Sequence, residues 1–255
     1  MNSSKQDPLL IQNFLKAFSQ AIEDFVNKFR PFLNSLNDPE VLKRILTGIQ
    51  KYTDQFSEAS KRSIFVLAQH GWFISLEMPS SPIFECATSA LEGEIDKVDN
   101  IMASFFRDNA GEINKALNSN FPNRSNILNN AFNAHRRGEY NFSIPVLLIQ
   151  TDGICNELIG IEMFSRRNNK PKTSAYADQF EQGSFLSALL EPFRVCLPLT
   201  ASERERELLT IENYLNRHEI LHGAAVNYGT ELNSLRAISL INFVSTVLQK
   251  VKQIN

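Results

Sequence analysis

The chain has 255 residues, 43% of them hydrophobic and 21% charged, with a net charge of −2. That length and balance suit a folded chain with a sizeable core. They exclude a disordered chain and one that coats nucleic acid through bulk positive charge. Phenylalanine is unusually common, at 19 residues against five tyrosines and one tryptophan, so a Phe-packed interior is expected.

Met1 to Pro8 has no basic stretch followed by an apolar one, and no apolar run approaches the length of a membrane span; the richest is Ile144 to Ile149. Cys86, Cys155 and Cys196 are widely spaced and show no paired-ligand pattern. A cytoplasmic protein with reduced thiols is expected, with no membrane association and no cofactor. The sequons at Asn123 and Asn141 carry no meaning in that compartment.

Helical punctuation recurs along the chain. Asp7-Pro8 places an N-cap and an N1 proline ahead of Leu9, Leu10, Phe14, Leu15, Phe18, Ile22, Phe25, Val26 and Phe29, a stripe that Pro31 should end. Asp38-Pro39 repeats the start before Val41, Leu42, Ile45, Leu46 and Ile49. Ser57 begins a third segment with Ile64, Phe65, Leu67 and Ala68 on its apolar face; it runs through His70 to Ile74 and is expected to break at Pro79 and Pro82. Ile95, Val98, Ile101, Met102, Phe105 and Phe106 mark a further amphipathic helix.

Between Asn118 and Asn126 the composition turns polar around Pro122, which predicts a boundary between domains at 1–125 and 126–255. A long apolar helix is expected over roughly Tyr140 to Phe164, bent at Pro145, followed by an aperiodic stretch from Ser165 to Gly183. The first half of that stretch is basic, with Arg166, Arg167, Lys170 and Lys172. Ser202 and Glu205 stand at capping-box spacing and predict a helix reaching His222, with Gly223 as its C′ residue. Asn227 to Thr230 forms a turn, and Leu232, Leu235, Ile238, Ser239, Ile241 and Val244 give the last helix its packing face. No segment alternates in the manner of a strand, so the expected fold is all-α.

Function has to be read from Asn216 to Ser234. His218-Glu219-Ile220-Leu221-His222 matches the His-Glu-x-x-His pattern, in which two histidines one helical turn apart hold zinc and the glutamate activates a water. A zinc metalloprotease also needs a third protein ligand. The only carboxylate after His222 is Glu231, beyond the turn, and no histidine follows; no metal site is therefore expected. The other pattern is Arg217 followed after four residues by His222. Cleavage of RNA through its 2′-hydroxyl needs a base and an acid active near neutral pH and a cation over the developing phosphorane charge, which are jobs for histidine and arginine. Five residues of regular helix separate the two positions by about 7.5 Å in rise, so two chains related by a two-fold axis would make a fuller site than one. Duller roles suit the same residues: His222 favours a helix C-terminus, Arg217 can pair with Glu212, Asn213 or Glu219, and Asp152 can hold a helix end.

Arg-x(4–6)-His near the end of a late helix, with a polar residue directly after the arginine, resembles the motif of HEPN domains, which are small α-helical bundles of bacterial toxins, phage-defence proteins and CRISPR-associated nucleases. Here the residues are Arg217, His218 and His222. Arg137-Gly138-Glu139-Tyr140, followed by a long helix carrying Asp152, resembles the same family, and the likeness covers roughly Asn126 to Asn255. It implies a metal-independent endoribonuclease active as a homodimer in a toxin or anti-phage setting, with RNA as substrate and an antitoxin or defence partner. It assigns His222, His218 and Arg217 to catalysis and Asp152 to orientation, with Arg136, Arg137, Arg166 and Arg167 as substrate-binding cations. The alternative it allows is a non-catalytic scaffold that binds a nucleotide or a partner in the same cleft. Residues 1–125 form an amino-terminal helical domain with no role assigned.

Overall fold

The computed structural model describes residue 47 and residues 57–180, 184–206 and 215–254. The predicted helix beginning at Asp7 lies outside the described residues, as do all of the one beginning at Asp38 but its helical residue 47 and the segment holding Glu212 and Asn213. The chain divides into two compact units, Met1–Ala59 and Ser60–Asn255, and the candidate site lies in the second. The fold is all-α, as the helical periodicity predicts. Among the described residues no helix is long and apolar enough to cross a membrane.

Helix α1 (described over 57–69) ends at Gly71, whose φ is +81°. The next residues leave the helical path, and Trp72, Phe73 and Ile74 are buried. Helix α2 (Ser80–Leu91) starts directly after Pro79 and holds Pro82 in its first turn. Neither proline breaks a helix, because amide hydrogens of a first turn have no partner within the helix to lose.

Helix α3 (Ile95–Asn120) buries Val98, Met102, Phe106, Ala110, Ile113 and Leu117, a stripe at three-to-four spacing. Phe121, the residue after it, is buried, and a 3-10 turn (Pro122–Arg124) leads straight into α4 (Ser125–Arg136). The polar stretch read from sequence as a domain boundary is thus a tight turn inside the second unit, and α3 and α4 pack on each other across it.

Helix α5 (Tyr140–Ile159) and the last helix, called α7 (Glu231–Ile254), pack on one another, and α5 packs on α4 and α7 on α3 to complete the bundle. In α7 the predicted face is buried at Leu235, Ile238, Ser239, Ile241 and Val244 and half-buried at Leu232, and Ala237, Leu240, Phe243, Val247, Leu248 and Val251 are buried too. α7 is the central helix, covered nearly all round. Each buried Val, Leu, Ile or Phe here contributes about 1.5–3 kcal/mol. Trp72 stacks on Phe106 with ring centroids 6.0 Å apart, and Phe243 lies between Phe73 (5.7 Å) and Phe193 (5.8 Å).

Three polar devices tie the bundle together. The Trp72 indole N–H donates to Asp99 Oδ1 at 2.7 Å, and Arg236, 3% exposed, reaches the same carboxylate at 2.9 and 3.2 Å while lying over the Trp72 ring. His135 Nδ1 and Ser143 Oγ both meet the Ser234 hydroxyl at 2.8 Å, linking α4, α5 and α7 in the interior. Pro145 has no N–H to offer the Asn141 carbonyl one turn back; that carbonyl accepts the Tyr228 hydroxyl at 3.1 Å.

The apolar helix predicted to run to Phe164 stops at Ile159. Gly160 follows at φ +72°, the left-handed C-cap that only glycine adopts cheaply. After it, Arg166–Arg167 (β1) pairs antiparallel with Lys170–Pro171 (β2) around Asn168-Asn169, which are both left-handed at φ +53° and +58°. This two-residue turn is of the kind that tight hairpins require, and its strands are too short to show as alternation in the sequence.

Candidate active site

The short helix α6 (Arg217–Leu221) is set in place by the residue before it. Asn216 is 2% exposed and extended in backbone, and its side-chain oxygen accepts the Glu219 N–H at 2.9 Å as an N-cap. Its amide nitrogen donates to the Pro198 and Ala201 carbonyls at 2.9 and 3.0 Å, pinning α6 to the loop that precedes the Ser202 cap. The single helix predicted from Ser202 to His222 is therefore broken at Leu215-Asn216. The two ends of that prediction hold. Ser202 N–H and Oγ both donate to Glu205 Oε2 at 2.7 Å. Gly223 lies at φ +74°, with the Ala224 N–H returning to the Glu219 carbonyl at 2.8 Å. Arg217 becomes the first residue of a short helix and His222 its C-cap.

This arrangement brings three of the sequence candidates together. His218 and His222 are both exposed, one turn apart, with ring centroids 4.3 Å from each other and the planes at 58°. Arg217 lies with its guanidinium carbon 5.3 Å from the centroid of the Phe164 ring. Its Nε is buried and has no hydrogen-bond partner among the described residues. Asp152, on α5, joins the group through a neighbour: its Oδ1 accepts the Phe164 N–H at 3.0 Å. The carboxylate thus fixes the residue on which the arginine rests. Phe164 carries no signal of this role in the sequence. Asn216 does, since Asn-x-x-Glu is a helix-start spacing.

The four substrate-binding candidates are not brought together. Arg136, at the end of α4, bonds to Asn133, and Arg137 forms a two-pronged pair with Glu139 at 2.9 and 2.6 Å; both are exposed. Arg166 turns inward, donating to both Glu205 oxygens at 2.9 and 2.8 Å and to the Thr200 side chain at 2.8 Å. The Ser202 donors first, and the Arg166 pair after them, hold Glu205 well below the usual carboxylate range, at about 2. Arg167 is exposed on the hairpin.

The two sides of α6 differ in charge. Toward α3 and α7 it borders an open cleft of about 660 Å³ whose lining includes Asp96, Asp99, Glu219, Tyr228 and Arg236. Three carboxylates against one arginine, itself paired with Asp99, make this side hostile to a phosphate backbone. The Phe164 side offers Arg217. Among the described residues no group of three His, Cys, Asp or Glu side chains is placed to hold a metal ion. No protein-family model matches the chain, and no curated protein or solved structure does either.

Proposed function

We propose that this protein is a metal-independent endoribonuclease of the HEPN type that acts as a dimer in a toxin or anti-phage role. The observation that carries the reading is the exposed pair His218 and His222, one turn apart, beside an arginine that has no carboxylate partner among the described residues. Two imidazoles side by side supply the base and the acid that such a step needs. His222 takes the proton from a 2′-hydroxyl as that oxygen attacks the adjacent phosphorus. His218, or His222 of the second copy, returns a proton to the departing 5′-oxygen. The bond formed is 2′-O–P and the bond broken is P–O5′, leaving a 2′,3′-cyclic phosphate. Arg217 stabilises the charge that builds on the phosphorane oxygens.

Digestion of single-stranded RNA in the presence of a chelator tests this. The wild type should give cyclic-phosphate ends and leave DNA intact, and His222→Ala should lower the rate by about a hundredfold or more. RNA left whole by the wild type would contradict the proposal.

A second reading, that of a non-catalytic scaffold which binds a nucleotide or partner, has an observation of its own. The buried Nε and the Phe164 stack hold Arg217 as part of the fold, which suits a fixed anion-binding group as well as a catalytic one. It expects binding without turnover, lost in Arg217→Ala.

A further inference from the structure

We propose that the hairpin β1–β2 is a preformed finger that grips the sugar-phosphate backbone of single-stranded RNA through Arg167, Lys170 and Lys172, while Arg166 serves only to anchor it. The choice of RNA as the polyanion rests on the endoribonuclease reading; the finger itself rests on geometry. Four basic residues fall within seven positions here, and the fold sorts them into two kinds. Arg166 is drawn into the body by Glu205 and Thr200. Arg167, Lys170 and Lys172 are exposed, and their side chains make no ion pair or hydrogen bond among the described residues.

Two-residue strands do not hold themselves together in water, yet this hairpin is fixed at several points. The Lys172 N–H donates to the Ser165 carbonyl at 2.9 Å, the Cys196 thiol approaches the Asn169 carbonyl at 3.2 Å, and Arg166 clasps the base. The turn residues are both asparagines, which tolerate the left-handed conformation that a tight hairpin demands. Three cations are therefore held on a rigid element, so binding an anion would order little that is loose.

The hairpin is also in the right place. Arg167 is three residues from Phe164, so the chain keeps their Cα atoms within about 10 Å, and Phe164 is the ring that carries Arg217. None of the hairpin residues lines the acidic cleft beside α6.

The test is fluorescence anisotropy of a short labelled RNA, titrated with full-length His222→Ala protein at several salt concentrations. Each phosphate contact on a single strand contributes about 0.7 to the slope of log affinity against log salt. Replacing Arg167, Lys170 and Lys172 by alanine together should flatten the slope by about 2 and weaken binding at least about tenfold at low salt. The melting temperature should not move. Lys170→Arg with Lys172→Arg should bind like the parent, and Arg166→Ala should leave the slope as it was. An unchanged slope in the triple variant, no RNA binding by the parent, or a preference for anionic lipid vesicles over RNA would each overturn the proposal. If binding follows the hairpin and yet the wild type cleaves no RNA, the endoribonuclease reading fails and the finger stands.

Discussion

Two regions of this molecule are built from the same three kinds of residue. In the bundle, Asp99, Trp72 and Arg236 meet; beside α6, Asp152, Phe164 and Arg217 do. In both, a guanidinium lies over an aromatic ring, 5.6 Å from the centroid in the first and 5.3 Å in the second. The carboxylate makes the difference. Asp99 takes its hydrogen bonds from both the indole and the guanidinium, so Arg236 is neutralised inside the fold. Asp152 takes its bond from a backbone N–H, and among the described residues Arg217 meets a ring and no carboxylate. An arginine whose charge is met internally holds a structure together. One that is oriented but unmet can serve an anion from outside.

That contrast can be broken most forcibly at Asp99. Asp99→Ala would remove the carboxylate that accepts from both the Trp72 indole and the Arg236 guanidinium and should cost about 3–5 kcal/mol in urea denaturation, whereas Asp99→Leu combined with Arg236→Met should recover most of it. A cost below about 1 kcal/mol would show that Arg236 is not tied into the fold as described. Asn216→Ala comes next, at about 2 kcal/mol, since it removes an N-cap and deprives two carbonyls of their donor. Asp152→Ala should cost about 1 kcal/mol, because only the Phe164 N–H loses its acceptor. Arg217→Ala should be the mildest, within about 1 kcal/mol, the range of a partly exposed cation–π contact. If its loss matched that of Asp99→Ala, the two arginines would have the same role.

Acid sharpens the view of the bundle. Burial lowers His135 below its ordinary 6.5, and His70 is lowered by burial first and then by Arg236. A histidine held neutral in the folded state and free to protonate in the unfolded one stabilises fully above about pH 6.5. That contribution is lost as pH falls through 6.5 toward the lowered folded values, because the unfolded chain takes up protons first. Urea titrations between about pH 7.5 and 5 should show the decline, with a shallower one in His135→Gln.

How much of this was legible in the sequence follows from the range of the interactions. The stripes of α3 and α7 are local patterns, and they identified the fold class and the core positions from Val98 to Phe106 and from Leu235 to Val244. Gly223 and the Ser202–Glu205 cap were legible for the same reason. The break at Asn216 was not, although its spacing to Glu219 is local, because what fixes it is a pair of carbonyls 15 and 18 residues earlier. Phe164 was invisible as a site residue, since its place depends on Asp152 twelve residues before it and its partner Arg217 lies far along the chain. The basic stretch read as aperiodic is a hairpin whose strands are too short for any periodicity to register.

The most direct measurement is one set of RNA digestions in chelator, run with melting curves, on the wild type, Arg217→Ala and His222→Ala. The wild type should leave 2′,3′-cyclic phosphate ends. Both variants should lose about a hundredfold or more in rate while melting within a few degrees of it. Cleavage undiminished in Arg217→Ala, or both variants melting early with no other change, would contradict the assignment of α6 as a catalytic helix.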